Sequence, residues 1–137
     1  MAESLAFEVS LRCDHDEAIS RVTEALKSEG FGILTRIDVK ATLKEKLGAE
    51  FRPYVILGAC NPPFAHRVLS HEPRAGLLLP CNVTVEADPD GGSIVRIADP
   101  AVLLDTGGLG KDELLREVAG QIRVLLEQVA GRLGAGA

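Results

Sequence analysis

The sequence predicts an α+β fold: a two-layer sandwich of a mainly antiparallel five-stranded sheet with two long helices on one face. Three observations predict it. Residues 5–11 alternate apolar and polar, stretches near either end repeat apolar residues at helical spacing, and four apolar runs punctuated by turn residues lie between them. The predicted order is strand, helix, four strands with short helical insertions, then helix. At 137 residues and 46% apolar content the chain suits one domain over 1–137. That size buries about two-thirds of the unfolded surface without help from disulfides or metals.

In the first strand Leu5, Phe7, Val9 and Leu11 point one way and Glu8, Ser10 and Arg12 the other. Asp14 with Glu17 forms a capping box for a helix over 15–29, striped by Ala18, Ile19, Val22, Ala25 and Leu26 and stopped by Gly30. Ile33, Ile37 and Val39 alternate with Leu34, Arg36 and Asp38 in a second strand. Thr42 and Glu45 then box a short helix that Gly48 closes. A third strand covers 51–59. Asn61 and Pro62 start a helix with Phe64, Ala65, Val68 and Leu69 on one side, ended at His71-Glu-Pro73.

A fourth strand is expected over 77–86, and Asp88-Pro-Asp-Gly-Gly92 folds it back into a fifth, Ser93 to Ala98. Asp99-Pro100 caps a brief turn and Thr106 to Gly110 is a flexible break. Leu115, Val118, Ile122, Leu125, Leu126, Val129 and Leu133 stripe the final helix. Alternation in the fourth strand sets Leu77, Leu79, Cys81, Val83 and Val85 against the helices. Leu78, Asn82, Thr84 and Glu86 then share the open face with Leu34, Arg36, Asp38, Tyr54, Ile56, Ile94 and Arg96. That face is more apolar than a solvated one usually is, so a partner subunit or a ligand is expected over it.

The candidate chemistry is a Cys-Asn dipeptide that occurs twice, at Cys60-Asn61 and Cys81-Asn82, each where an apolar run meets a proline. Cys60 precedes a helix N-terminus, whose dipole and free N–H groups favour a thiolate. It is therefore the catalytic residue if there is one, with Cys13 its rival. Cys81 falls in the core, Asn61 reads as a cap and Asn82 as a hydrogen-bonding group on the open face. His15 reads as a solvated first-turn residue.

Other classes are disfavoured. A net charge of −5 with both signs interspersed offers no cationic face to nucleic acid or anionic membranes. No leader or membrane span is seen, and three cysteines, an odd number, suit a reduced cytoplasmic pool. His66 and His71 are five apart, which misses the helical i, i+4 spacing, so no metal and no cofactor is expected. Gly107 to Lys111 lacks the glycine and hydroxyl positions of a phosphate loop, with Asp105 and Asp112 in their places.

Four segments carry a resemblance: Gly30-Phe-Gly-Ile-Leu-Thr-Arg-Ile-Asp-Val39, Thr42-Leu-Lys-Glu-Lys-Leu-Gly48, Tyr54-Val-Ile-Leu-Gly-Ala-Cys-Asn-Pro62 and Gly76-Leu-Leu-Leu-Pro-Cys-Asn-Val83. Together they resemble the bacterial and archaeal family called domain of unknown function 302, over nearly the whole chain. The resemblance implies a strand-helix-four-strand-helix fold like half of the TATA-binding protein, and a homodimer. It carries Cys60, Asn61, Cys81 and Asn82 over as a shared signature but implies no activity. Arg36 departs from the acidic residue common at that motif position.

Three readings follow. The favoured one is a homodimeric cytoplasmic module that binds a small ligand beside Cys60, Asn61, Cys81 and Asn82. The alternatives are a thiol-dependent enzyme or redox sensor acting through Cys60, and a structural or interaction protein whose Cys-Asn steps only pack.

Overall fold

The computed structural model describes residues 4–135, so the extreme ends of the expected domain lie outside the described residues. In chain order the elements are β1 (Ala6–Leu11), α1 (His15–Ser28), β2 (Gly32–Asp38), α2 (Val39–Leu47), β3 (Tyr54–Cys60) and α3 (Pro62–His71). A 3-10 turn (Pro73–Leu78), β4 (Cys81–Ala87), β5 (Ser93–Ala98), α4 (Pro100–Leu104), a second 3-10 turn (Thr106–Lys111) and α5 (Glu113–Ala135) complete it. The strands form one sheet in the order β1-β5-β4-β3-β2, antiparallel at every pairing. This is the two-layer α+β arrangement expected from the sequence.

The core lies between the sheet and the two long helices. Ala18, Val22 and Leu26 of α1 and Val118, Leu126 and Val129 of α5 pack onto Val83, Val85, Val95 and Ile97, all of them almost fully buried. Each of the larger side chains contributes about 1.5–3 kcal/mol by leaving water. The Asp14 carboxylate accepts the Glu17 N–H at 2.8 Å and so starts α1, and Gly30, at φ +87°, turns the chain out of it. His15 is half-buried rather than solvated. Its Nε2 donates to the Val85 carbonyl at 2.8 Å, tying the first turn of α1 to the middle of the sheet.

Several boundaries move from their expected places. Asp38 caps α2, accepting the Ala41 N–H at 3.0 Å, so the helix begins at Val39 and the Thr42–Glu45 box lies inside it. β3 starts at Tyr54 rather than 51, because Pro53 has no N–H for the ladder and takes part only through its carbonyl, which accepts from Ala87. β4 starts at Cys81 rather than 77, because Leu77 and Leu78 are wound into the 3-10 turn.

These shifts change two faces. Leu77, expected in the core, is 87% exposed, whereas Leu78, expected on the open face, packs against the core. In β2 a bulge between Ile33 and Thr35 inserts one residue and reverses the alternation beyond it. Ile37 consequently pairs with Ile56 on the open face, and Arg36 and Asp38 pair with the core-facing Leu57 and Val55. The open face therefore carries Ile37, Ile56 and Ile94, with Tyr54, Thr84, Glu86 and Arg96 among them.

Candidate functional site

A cleft of about 300 Å³ opens at the end of the sheet where β3 finishes and β4 begins. Phe31 and Leu34 wall one side, Phe64 and Leu69 of α3 another, and Leu79 and Pro80 a third. Cys60, Asn61 and Cys81 lie among them. Asp, Glu, Lys, Arg and His are absent from the lining. Leu34 and Leu69 are 67% and 40% exposed, so the mouth has an apolar rim. Behind it a smaller cavity of about 60 Å³ reaches Pro100, Leu103 and Leu104 of α4. Val68, Leu79, Cys81 and Ile122 line both spaces and form the partition between them.

Register places the thiols. Cys81 pairs with Ala59 on the helix side of the sheet, which brings it one residue along the ladder from Cys60. Burial, and secondarily the neighbouring Cys60, pushes the Cys81 thiol up to about 11, so it is protonated at neutral pH. All three cysteines are free, and Cys13 is buried in the turn before α1, where desolvation also raises its thiol.

Asn61 occupies the cap position of α3, where its carbonyl accepts the Ala65 N–H at 3.0 Å, but its side chain makes no cap hydrogen bond. Its Nδ2 instead donates to the Glu29 carbonyl at 3.4 Å, linking the end of α1 to the cleft. Pro62 and Pro63 follow it, so two of the N–H groups expected to favour a thiolate at Cys60 do not exist. Asn82 pairs with Gly58 on the open face, away from the cleft.

On that open face Glu86 is only 6% exposed. Arg52 Nε donates to its Oε2 at 2.6 Å and Arg96 to its Oε1, and Arg96 also reaches Glu8. The hydrogen bonds from Arg96 and then Arg52 hold the Glu86 carboxyl below the ordinary range, so it is ionised and fully paired. His71 meets Asp112 at 2.8 Å rather than His66, and among the described residues no three His, Cys, Asp or Glu side chains gather in a metal-holding group.

The family model for the domain of unknown function DUF302 matches residues 7–133. The chain belongs to the DUF302 family. A crystal structure of an uncharacterised conserved DUF302 protein from Bacillus stearothermophilus is similar to it with a TM-score of 0.84 at 34% identity, covering 96% of this chain and 99% of that one. A comparison with curated proteins finds no match.

Three of the four segments that carry the DUF302 resemblance converge on the cleft. Phe31 and Leu34 come from the first, Ala59, Cys60 and Asn61 from the third, and Gly76, Leu79, Pro80 and Cys81 from the fourth. Of the four residues that the sequence resemblance singles out, Cys60, Asn61 and Cys81 are brought together and Asn82 is not. The apolar walls escaped sequence reasoning because Phe64 and Leu79 read as ordinary core positions and Phe31 stood between two predicted elements. The Arg52–Glu86–Arg96 cluster had a signal in the alternation of β4, which put Glu86 on the open face, but its partners lie 34 and 10 residues away.

Proposed function

We propose that this DUF302 domain, acting as one unit over 1–137, is a non-catalytic binding module that takes a small molecule into the cleft beside Cys60, Asn61 and Cys81. The observation that carries the reading is the convergence of three family-signature segments on one apolar concavity. A protonated Cys81 thiol and a cap residue bonded to Glu29 suit a wall more than a reaction centre. We also propose a homodimer that covers Ile37, Ile56 and Ile94 on the open face, and a cytoplasmic setting that keeps the three thiols reduced.

The test uses the uncharged fluorophore N-phenyl-1-naphthylamine, with iodoacetamide labelling of native protein alongside. Saturable one-to-one binding that slows alkylation of Cys60 is expected. Fast Cys60 alkylation that the fluorophore leaves unchanged would transfer the argument to thiol chemistry. Absence of both binding and labelling would leave a purely structural domain.

A further inference from the structure

Resting on the reading of the cleft as a binding site, we infer that its ligand is an uncharged molecule with a linear hydrocarbon tail whose end passes Cys81 into the rear cavity. Three observations lead there. The cleft lining has no ionisable side chain apart from the two thiols, so a charged group drawn into it would lose its hydration without a counter-charge. The rim is apolar as well, because Leu34 and Leu69 stand exposed at the mouth. Beyond the cleft the rear cavity is walled by Leu78, Leu103, Leu104 and Val118, again without a charge.

The partition gives the ligand its shape. Val68, Leu79, Cys81 and Ile122 are shared by both spaces, and Cys81 has the smallest side chain of the four. A rotation of that side chain joins the two volumes into one track, running from the rim at Leu34 to α4. The inner end of that track, about 60 Å³, fits a narrow chain and is too small for a fused ring system, which only the cleft can hold. The rear cavity is apolar, the kind of space that hydrocarbon fills more favourably than water does.

The experiment displaces N-phenyl-1-naphthylamine with hexan-1-ol, octan-1-ol and decan-1-ol and with the matching carboxylates, on wild type, Ala119→Leu and Cys81→Ala. Ala119 lines the rear cavity but not the cleft. Affinity for the alcohols is expected to rise about fourfold per methylene, the value of one buried CH₂. Ala119→Leu should weaken decanol about tenfold or more and leave hexanol unchanged, and Cys81→Ala should strengthen decanol selectively. Carboxylates should bind at least about tenfold more weakly than alcohols of equal length. Equal binding of the carboxylates overturns the uncharged ligand, and a flat chain-length series in wild type overturns the tail. Should Ala119→Leu unfold, an unchanged decanol affinity in Cys81→Ala overturns the passage into the rear cavity. In each of those cases fluorophore binding in the cleft stands, whereas loss of fluorophore binding itself removes the binding-module reading.

Discussion

Cys81 stands opposite Ala59 in the β3–β4 ladder, one step along from Cys60, yet the two thiols meet different surroundings. Burial pushes Cys81 up to about 11 and also raises Cys13. At pH 7 the Cys81 thiolate is then about one part in 10⁴, from the four-unit gap between 7 and 11. Iodoacetamide on native protein should therefore modify Cys60 first, and raising the pH to 9 should accelerate Cys81 about a hundredfold without making it the leading site. Peptide mapping across that pH range checks the order. Preferential labelling of Cys81 at pH 7 would refute it.

The open face makes a prediction about assembly. Ile37 is 48% exposed at the edge strand and pairs with Ile56, so a two-fold contact across this face removes both from water. Such a contact need bury only about 800 Å² per subunit. Ile37→Arg, at a position that already tolerates solvent, should convert the proposed dimer to monomer while leaving the far-ultraviolet spectrum unchanged. Light scattering after size exclusion reads this directly. A wild-type mass near 14.6 kDa ends the dimer proposal, and an intact Ile37→Arg dimer moves the interface elsewhere.

Glu86 links stability to pH. Its carboxyl titrates below the ordinary 4.5 because Arg96 and Arg52 hydrogen-bond the ionised form. A depressed folded value means that the stabilisation is complete above the unfolded value and is lost as the pH falls through the folded one. Urea midpoints for wild type should drop below pH 4.5, and Glu86→Gln should show a shallower fall. At pH 7 the substitution should cost about 1–3 kcal/mol, because one carboxylate oxygen becomes an NH₂ group that cannot accept from its arginine, while both arginines keep access to water. An acid limb of unchanged slope would show that Glu86 is not the group responsible.

What the sequence by itself determined is whatever local chemistry dictates. Strand alternation in residues 5–11 and the stripe from Leu115 to Leu133 announce their elements, and Asp14, Gly30 and the Asp88–Gly92 turn act through neighbours a few residues away. The motif residues Cys60, Asn61 and Cys81 were legible as a group for the same reason, since each stands at a proline-marked end of an apolar run. Tertiary structure decided the rest. The bulge at Leu34 and the 3-10 turn at Leu77 reverse or break a period of two, and one inserted residue moves every later side chain to the other face. The Asn61 side chain had a local donor to accept from at the start of α3, and bonds Glu29 instead because the fold carries the end of α1 alongside it. The cleft likewise belongs to no single segment. Phe31, Phe64 and Leu79 become its walls only when strand pairing and helix packing bring three separate parts of the chain to one end of the sheet, a long-range outcome that no local pattern encodes.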